Sequence, residues 1–539
     1  MGSTGHTQSE PRHKRKTSDS AWGPLREPLF RALWIAAVAS NVGTWMEDVG
    51  EAWLMTSLST SPLMVALVET AGSLPILLLS VLSGAFADLV DRRRLLLITQ
   101  TWMLIVAATL GFLTIARLTT PWLLLLLAFA LGLGAALNGP AWEAITPELV
   151  NKQDLPAAVT LGAVAFNVAR AVGPALGGLL VAALGTGPVF LLNAASFLGV
   201  IFVLKRWRRP VEKSNLPPEH VIGAVRAGIR YVRHTQALRA VLVRAAVFIL
   251  CASALWALLP LVARRDLGLN AAGYGVLLGC LGLGGVTGAS LLPKVRQRFP
   301  TNAMIVGATL VFAAVMLVVA YEHNVIAVGA ALFIGGTAWI ALLSTFNVVA
   351  QTASAGWVRA RVLSVYMLIF FGGWAVGSAV WGWIASRTTI STTLFIAAIG
   401  LVLGLATGIR FKLRIKEDVD LTPFAFWPEP KVQAGQDTRG GPVLVTVEYK
   451  IDPRNAQAFR EVARLAGEIK RRDGAFYWNM FGDTADASRF VETFMVDSWA
   501  EHLRQHGRLT KSDQEVERKM QAFHVGASPP RISHFIGES

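Results

Sequence analysis

The chain has 539 residues, of which 53% are hydrophobic and only 16% charged, and its mean hydropathy is +0.49. A soluble protein carries about a quarter charged residues, so this composition excludes an ordinary soluble globule and points to lipid. The formal charge of +15 implies nucleic acid only if the basic residues gather on a soluble surface, and the two cysteines, Cys251 and Cys280, both sit in apolar runs, so no disulfide framework is expected.

Residues 1–27 hold the basic run Arg12–Lys16 and no apolar core, which reads as a disordered basic tail and not as a signal peptide. Windows of about 20 apolar residues, the length that crosses a bilayer, then recur at twelve places. They centre near Ser40, Ile76, Val106, Phe129, Ala171, Phe197, Ser253, Leu283, Ala313, Phe333, Phe371 and Ala398. Breakers such as STSP, RLTTP, LGTGP and YEHN separate them. With the tail inside, about 25 Lys or Arg before residue 362 fall on its side, against roughly four (Arg117, Arg264, Arg265, Arg387) on the other. This asymmetry predicts both termini in the cytoplasm. The basic excess is then topological, and no nucleic-acid partner is expected.

Ionisable residues inside membrane spans are functional candidates by default. The first span holds Glu47, Asp48 and Glu51, and the second holds Glu69. At about 1.5 Å per residue, Glu47 and Glu69 fall at similar depth in the outer half. The fifth span brings Asn167 and Arg170 onto one face. These acids are the proton-coupling candidates, with Arg170 as their counter-ion. The structural alternative leaves Glu51 near the external surface and has Arg170 brace helix contacts.

Between the second and third spans runs GAFADLVDRRRLL, from Gly84 to Leu96, with Asp88, Asp91, Arg92 and Arg93. A carboxylate at the end of the second span needs compensation. The eleventh span starts on the same side, near Arg361, and a helix N-terminus is worth ~0.3–1 kcal/mol to a nearby anion. The plainer alternative is that the arginines only stop translocation while Asp88 offsets their charge. The fifth span carries Gly173, Pro174 and Gly177, and the eleventh carries Gly373 and Gly377 at the same spacing. Such small-residue pairs let helices approach closely in lipid. Their equivalent places suggest two parallel six-helix repeats. The glycine-dense eighth span has no GK[ST] and no preceding strand, so close packing is its reading and a nucleotide loop is not.

Residues 206–237 form a cytoplasmic linker. Its HVIGAVRAGIRYVRHT sets Val221, Val225, Ile229 and Val232 near one face and Arg226, Arg230 and Arg233 on another, an interfacial-helix pattern. Residues 412–441 are a second linker, rich in Pro, Gly and charge. Residues 442–539 read as a small soluble domain. VLVTVEYKI alternates as a strand, Asn455–Arg472 is an amphipathic helix, AFYWNMFGD and RFVETFMVDS are strands, Trp499–Phe523 is helical and RISHFIG is the last strand. That βαββαβ order is ferredoxin-like.

The spacing of Gly84, Phe86, Ala87, Asp88, Asp91, Arg92 and Arg93 resembles the loop signature between helices two and three of the major facilitator superfamily. It departs at Leu89, where a basic residue is usual, and at Asp91, where glycine is usual. The D-R-R-R variant, together with NGPAWEAITPELV and ARAVGPALGGLL, is similar to the enterobactin-exporter-like branch, of transmembrane secretion effector type. The resemblance covers about residues 28–411. The matching loop of the second half, GASLLPKVRQRFP, keeps Gly288 and the basic residues but no acid.

This resemblance implies an all-α membrane protein of twelve transmembrane helices in two six-helix halves, residues 28–205 and 238–411. It implies that Gly84, Asp88, Asp91, Arg92, Arg93 and Arg361 form a gate that closes in one state and opens in the other. Helices one, four, seven and ten would line the cavity, so Trp45, Asn138, Trp256, Trp339 and Asn347, with Asn167 of the fifth span, are the substrate-cavity candidates.

The terminal FVETFMVDSWAEHLRQHGRLTKSDQEVERKM resembles the antibiotic-biosynthesis-monooxygenase-like fold, which implies a dimeric α+β barrel. Trp478, His502 and His506 are its chemically notable groups. The two histidines are i, i+4 on one helix but lack the carboxylate or cysteine pattern of a metal site, so packing is their reading. No catalytic residue, metal or cofactor is expected, and the chain is not expected to be an enzyme. The expected function is a proton-coupled exporter of small amphipathic molecules, siderophore- or drug-like, in the bacterial cytoplasmic membrane. Its partners are the substrate, protons and membrane lipid, and dimerisation through the terminal domain is an open alternative. A lipid or lysophospholipid carrier of the same fold and a membrane-tethered monooxygenase-like enzyme are the alternative functions.

Overall fold

A computed structural model describes residues 22–89, 91–151, 153–207, 221–411, 413, 420–422 and 441–537. Most of the N-terminal tail, the start of the first linker and most of the second lie outside these residues. Six helices come first: α1 (Pro28–Leu58), α2 (Pro62–Leu89), α3 (Arg92–Ile115), α4 (Pro121–Leu149), α5 (Leu155–Leu184) and α6 (Thr186–Arg206). The short α7 (Val221–His234) leads to α8 (Gln236–Leu261), α9 (Ala271–Arg298), α10 (Thr301–Tyr321), α11 (Val325–Thr352), α12 (Arg359–Arg387), α13 (Ile390–Gly404) and the single turn α14 (Thr407–Arg410). Every centre expected from the apolar windows falls within one of these helices.

The breakers turn out to be caps. Thr120 accepts a hydrogen bond from the Leu123 amide and is followed by Pro121, while Asn324 accepts from the amides of Ile326 and Ala327. Both satisfy amides that a helix start leaves without partners, and proline at the first position loses nothing by lacking one.

Among the described residues eleven helices are long and apolar enough to cross a membrane. The exception among the long ones is α1. It has 31 residues, ample length for a bilayer, but it carries Glu47, Asp48 and Glu51.

The glycine pairs hold equivalent helix pairs together. On α5, a side chain at Gly177 would meet the Met46 Cα of α1 at 2.8 Å; on α12, one at Gly377 would strike the Ser253 Oγ of α8. The first helix of each half thus packs on the fifth, as parallel repeats require. Across the halves α2 packs on α12 and α5 on α9. The crossing of α5 and α9 is close enough that Gly178 and Gly275 face each other.

The terminal domain comprises β1 (Val443–Lys450), α15 (Ala456–Asp473), β2 (Tyr477–Gly482), β3 (Arg489–Val496), α16 (Trp499–His506), α17 (Lys511–Ala522) and β4 (Arg531–Ile536). Its four strands lie in the order β2-β3-β1-β4 with every neighbouring pair antiparallel. The strand and helix order matches the sequence reading. One correction is needed, because the expected helix Trp499–Phe523 is two helices. Thr510 and Asp513 form a capping box that starts α17 afresh.

This domain rests on the membrane region. Arg230 of α7 contacts Glu501 at 3.3 Å, Arg508 lies 4.4 Å over the Trp357 ring, and Arg472 lies 5.5 Å over Tyr231. The interfacial-helix reading of α7 needs revision at its apolar face. Ala227, Gly228 and Tyr231 are buried while Ile229 is exposed, because α7 packs between α12 and α15.

Candidate functional site

Between the two halves lies a cavity of about 540 Å³. Its walls differ in chemistry. From α1 and α2 come Glu47, Asp48, Glu51 and Glu69; from α8, α11 and α12 come Trp256, Trp339, Phe370 and Trp374. The three tryptophans touch one another, with ring centroids 5.5 to 5.8 Å apart, and Phe370 stacks on Trp374. The spacing suits aromatic pairs, which prefer tilted and offset contacts.

The acids are held individually. Glu69 accepts a hydrogen bond from the Trp374 indole at 2.9 Å, which ties the acidic wall to the aromatic one. Glu47 accepts from the Asn193 amide of α6 and is 3% exposed. The second oxygen of Glu47 and one oxygen of Glu51 are buried without a hydrogen-bond partner. Unpaired carboxyl oxygens in a low-dielectric cavity are costly, so these groups are poised to take a proton or a cation.

Arg170 does not pair with any of these acids among the described residues. Its guanidinium lies 6.0 Å from the Trp45 ring and 5.9 Å from the Trp256 ring, and its Nε is buried without a partner. The expected counter-ion is instead a cation held between two indoles, one from each half.

Of the expected cavity residues, Trp45, Trp256 and Trp339 line the space. The three asparagines do not, and each is engaged locally instead. Asn138 accepts from Thr99 and Gln100 and so joins α4 to α3. Asn167 donates to its own helix at Ala163, and Asn347 accepts from Gln351 one turn on. The sequence reading missed Asn193, Tyr274, Phe370 and Trp374. Asn193, a lone amide in an apolar span, could have been found by asking what satisfies Glu47.

One end of the cavity is shut. Arg264 donates to the Thr56 hydroxyl at 2.9 Å and Arg265 to the Thr60 carbonyl at 2.5 Å, joining the far end of α8 to that of α1. Arg264 also lies over Trp53, which stacks on Tyr274. At the opposite end, where the loop arginines gather, several described residues of α5 and α9 are exposed. Val159 and Phe166 of α5 are exposed, a side chain at Gly162 would meet nothing within 4 Å, and Leu291 of α9 is exposed.

The loop motif lies at this open end. Gly84 and Asp88 fall outside the residues whose side chains are described. Asp91 caps α3 by accepting from the Arg94 amide. Arg92 bonds Glu148 and the Ala144 carbonyl of α4, and Arg93 bonds the Leu204 and Lys205 carbonyls of α6. Two consecutive arginines therefore tie three helix ends together. Arg361, at the start of α12, stacks on Trp357 and packs against Gly228 of α7.

In the terminal domain, His502 is buried against Trp499, His506 and His534, and Trp478 donates to Glu492. Burial, with His506 and His534 nearby, pushes the His502 imidazole down to about 3. Lys470 pairs with Glu517 at 2.7 Å. Burial alone would lower the Lys470 ammonium, yet the Glu517 and Glu492 carboxyls hold it above its usual range. One Glu517 oxygen and the His502 Nδ1 are nonetheless buried without a hydrogen-bond partner among the described residues. Among the described residues no group of three or more His, Cys, Asp or Glu is arranged to hold a metal ion.

Two six-helix repeats around a central cavity are the architecture of membrane transporters of the major facilitator kind. The chain belongs to the transmembrane secretion effector family, whose model matches residues 19–539. The multidrug efflux pump Tap of Mycolicibacterium fortuitum is 25% identical over 411 residues, which cover 73% of this chain and 97% of that protein. The enterobactin exporter EntS of Citrobacter koseri is 24% identical over 388 residues, 70% of this chain and 90% of that one. Among solved structures, a bacterial homologue of the human lysosomal transporter Spinster, in an inward-facing and occupied conformation, shares the fold. Its TM-score is 0.58 at 15% identity, covering 72% of this chain and 98% of the other.

Proposed function

We propose that the protein is a proton-coupled exporter of small, ring-bearing amphipathic molecules in the bacterial cytoplasmic membrane. The observation that carries this reading is the divided cavity: four carboxyls on one half face three mutually packed tryptophans on the other. Aromatic rings of a substrate stack on the tryptophans, while protonation and deprotonation of the carboxyls set when it is released. Relatives named for multidrug efflux and for enterobactin export support a siderophore- or drug-like cargo.

In this reading α1 is the twelfth span, its acids shielded by α5, α6 and the cavity. Both termini are cytoplasmic, so the open end faces inward. The Arg264 and Arg265 bonds, which join the two halves, form the outer gate, and Asp88 and Arg361 form the inner one. The Arg92 and Arg93 bonds lie within the first half and hold α3, α4 and α6 as its frame. Alternating access follows from rocking one half on the other, which requires the two gates to exchange. The terminal domain, seated on Tyr231 of α7 and on Trp357 just before α12, is a regulatory or dimerising module of antibiotic-biosynthesis-monooxygenase-like ancestry.

The test is proton movement driven by a gradient of a cationic dye in proteoliposomes holding the full chain. Wild type moves protons, and Glu47→Gln, Asp48→Asn and Glu69→Gln lose or weaken the coupling. Unchanged coupling in all three variants overturns the proton reading. Dye transport that persists without any proton movement in the wild type overturns the antiport.

A further inference from the structure

A second cavity, of about 250 Å³, lies away from the first, among α8, α10, α13 and α14. Its walls are apolar, including Val247, Phe248, Ile305, Val306, Leu401 and Leu405, but Arg244 also lines it. Arg244 is 7% exposed. Its partners are all neutral: Nη1 donates to Asn302 Oδ1 at 2.6 Å, and Nη2 to the carbonyls of Phe411 and Gly408 at 2.9 and 3.3 Å. Its Nε is buried with no partner. No carboxylate among the described residues forms an ion pair with it.

A buried cation without a counter-charge is strongly disfavoured. Among the described residues three neutral acceptors fix the guanidinium in place, no acid supplies a counter-charge, and one buried donor is unused. Arg244 lies in the third turn of α8, at the end of the bundle where the loop arginines gather, and Asn302 lies in the first turn of α10. The cavity is therefore near the membrane surface, not in its middle. Asn302 and Ile409 on its rim are exposed, so it opens sideways between α10 and α14, where a bilayer leaflet would abut.

We propose that this cavity binds the phosphate of an anionic amphiphile, with Arg244 as its counter-charge and the apolar walls taking the start of an acyl chain. Charge, a buried fixed donor and a greasy wall at leaflet height are the features that recognise an anionic phospholipid head group in preference to a zwitterionic one, whose own cation the arginine repels. The site is separate from the transport cavity and does not depend on the proposed cargo.

The experiment is native mass spectrometry of the delipidated full-length protein titrated with phosphatidylglycerol, phosphatidylcholine or inorganic phosphate. The wild type should retain phosphatidylglycerol about tenfold more strongly than phosphatidylcholine, and Arg244→Gln should lose that preference. Val306→Trp, which fills the cavity and leaves Arg244 intact, should weaken retention to a similar extent. It also decides the matter if Arg244→Gln fails to fold. Competition by inorganic phosphate at equal strength supports the anion site and makes its ligand a soluble phosphate. Equal retention of both lipids by the wild type, or undiminished phosphatidylglycerol retention in Val306→Trp, overturns the proposal.

Discussion

The two halves of the membrane region share a packing plan and differ in what they present to the space between them. In each, the first helix lies on the fifth across a pair of glycines, Gly173 and Gly177 in one, Gly373 and Gly377 in the other. Yet α1 and α2 give the cavity four carboxyls and one indole, Trp45, whereas α8, α11 and α12 give it three indoles. Repetition therefore governs the scaffold and not the lining. The contacts that let helices approach in lipid must be kept in both copies, but a side chain facing a cavity is free of that demand and can specialise.

If the acidic half does the coupling, removing its charge should have the largest effect. The double variant Asp48→Asn, Glu69→Gln is expected to reduce substrate-driven proton flux by about tenfold or more. The corresponding change on the aromatic half, Trp339→Phe, should leave flux per molecule transported intact. Measurements on both in proteoliposomes would collapse the division of labour if they came out alike.

The shared scaffold predicts symmetry. Gly177→Val and Gly377→Val should each destabilise by about 1–3 kcal/mol, because each inserts bulk against a partner helix. Thermal unfolding in detergent reads this out, and a drop in only one variant would break the equivalence of the halves.

A smaller effect sharpens the link between the walls. Trp374→Phe keeps an aromatic ring, though a smaller one, and removes the indole N–H that bonds Glu69. A bond to a charged group is worth about 1.5–3 kcal/mol, so apparent substrate affinity should shift by about tenfold, and the pH at which transport is half-maximal should move with it. Unmoved pH dependence would mean that Glu69 is not sensed across the cavity.

The smallest effect lies outside the bundle and serves as a control. The His502 imidazole is held at about 3 in the folded domain, below its ordinary value of 6.5, because burial disfavours its charged form. Its contribution to stability is present above about 6.5 and is lost as the pH falls toward 3. The melting transition of the terminal domain should fall over that window, and His502→Gln should flatten the slope. Transport at neutral pH should be unaffected.

Much of this architecture was readable from the chain. Apolar windows gave the membrane helices because lipid allows few other ways to satisfy a backbone. Period-two alternation gave the terminal strands. Turn residues such as Thr120 and Asn324 marked helix starts because their side chains replace missing hydrogen bonds. Membrane acids were visible as candidates because charge in an apolar run is expensive. What failed were the asparagines. Asn138 and Asn347 looked like cavity residues by helix number, and Asn167 by sharing a face with Arg170, yet each had a partner one turn away or on the adjoining helix. A polar side chain in lipid takes the nearest acceptor, and sequence distance across helices does not say which one is near.

The sequence by itself determined that the chain crosses a membrane in two like halves and ends in a small sheet-and-helix domain. Those outcomes depend on composition and periodicity, which are local quantities. Only the tertiary structure decided that Glu69 meets Trp374, that Arg170 lies between two indoles instead of beside an acid, and that Arg244 is held by an amide and two carbonyls. Each depends on which faces of distant helices turn toward one another. Packing settles that through the summed shape of many side chains, and no single stretch encodes it.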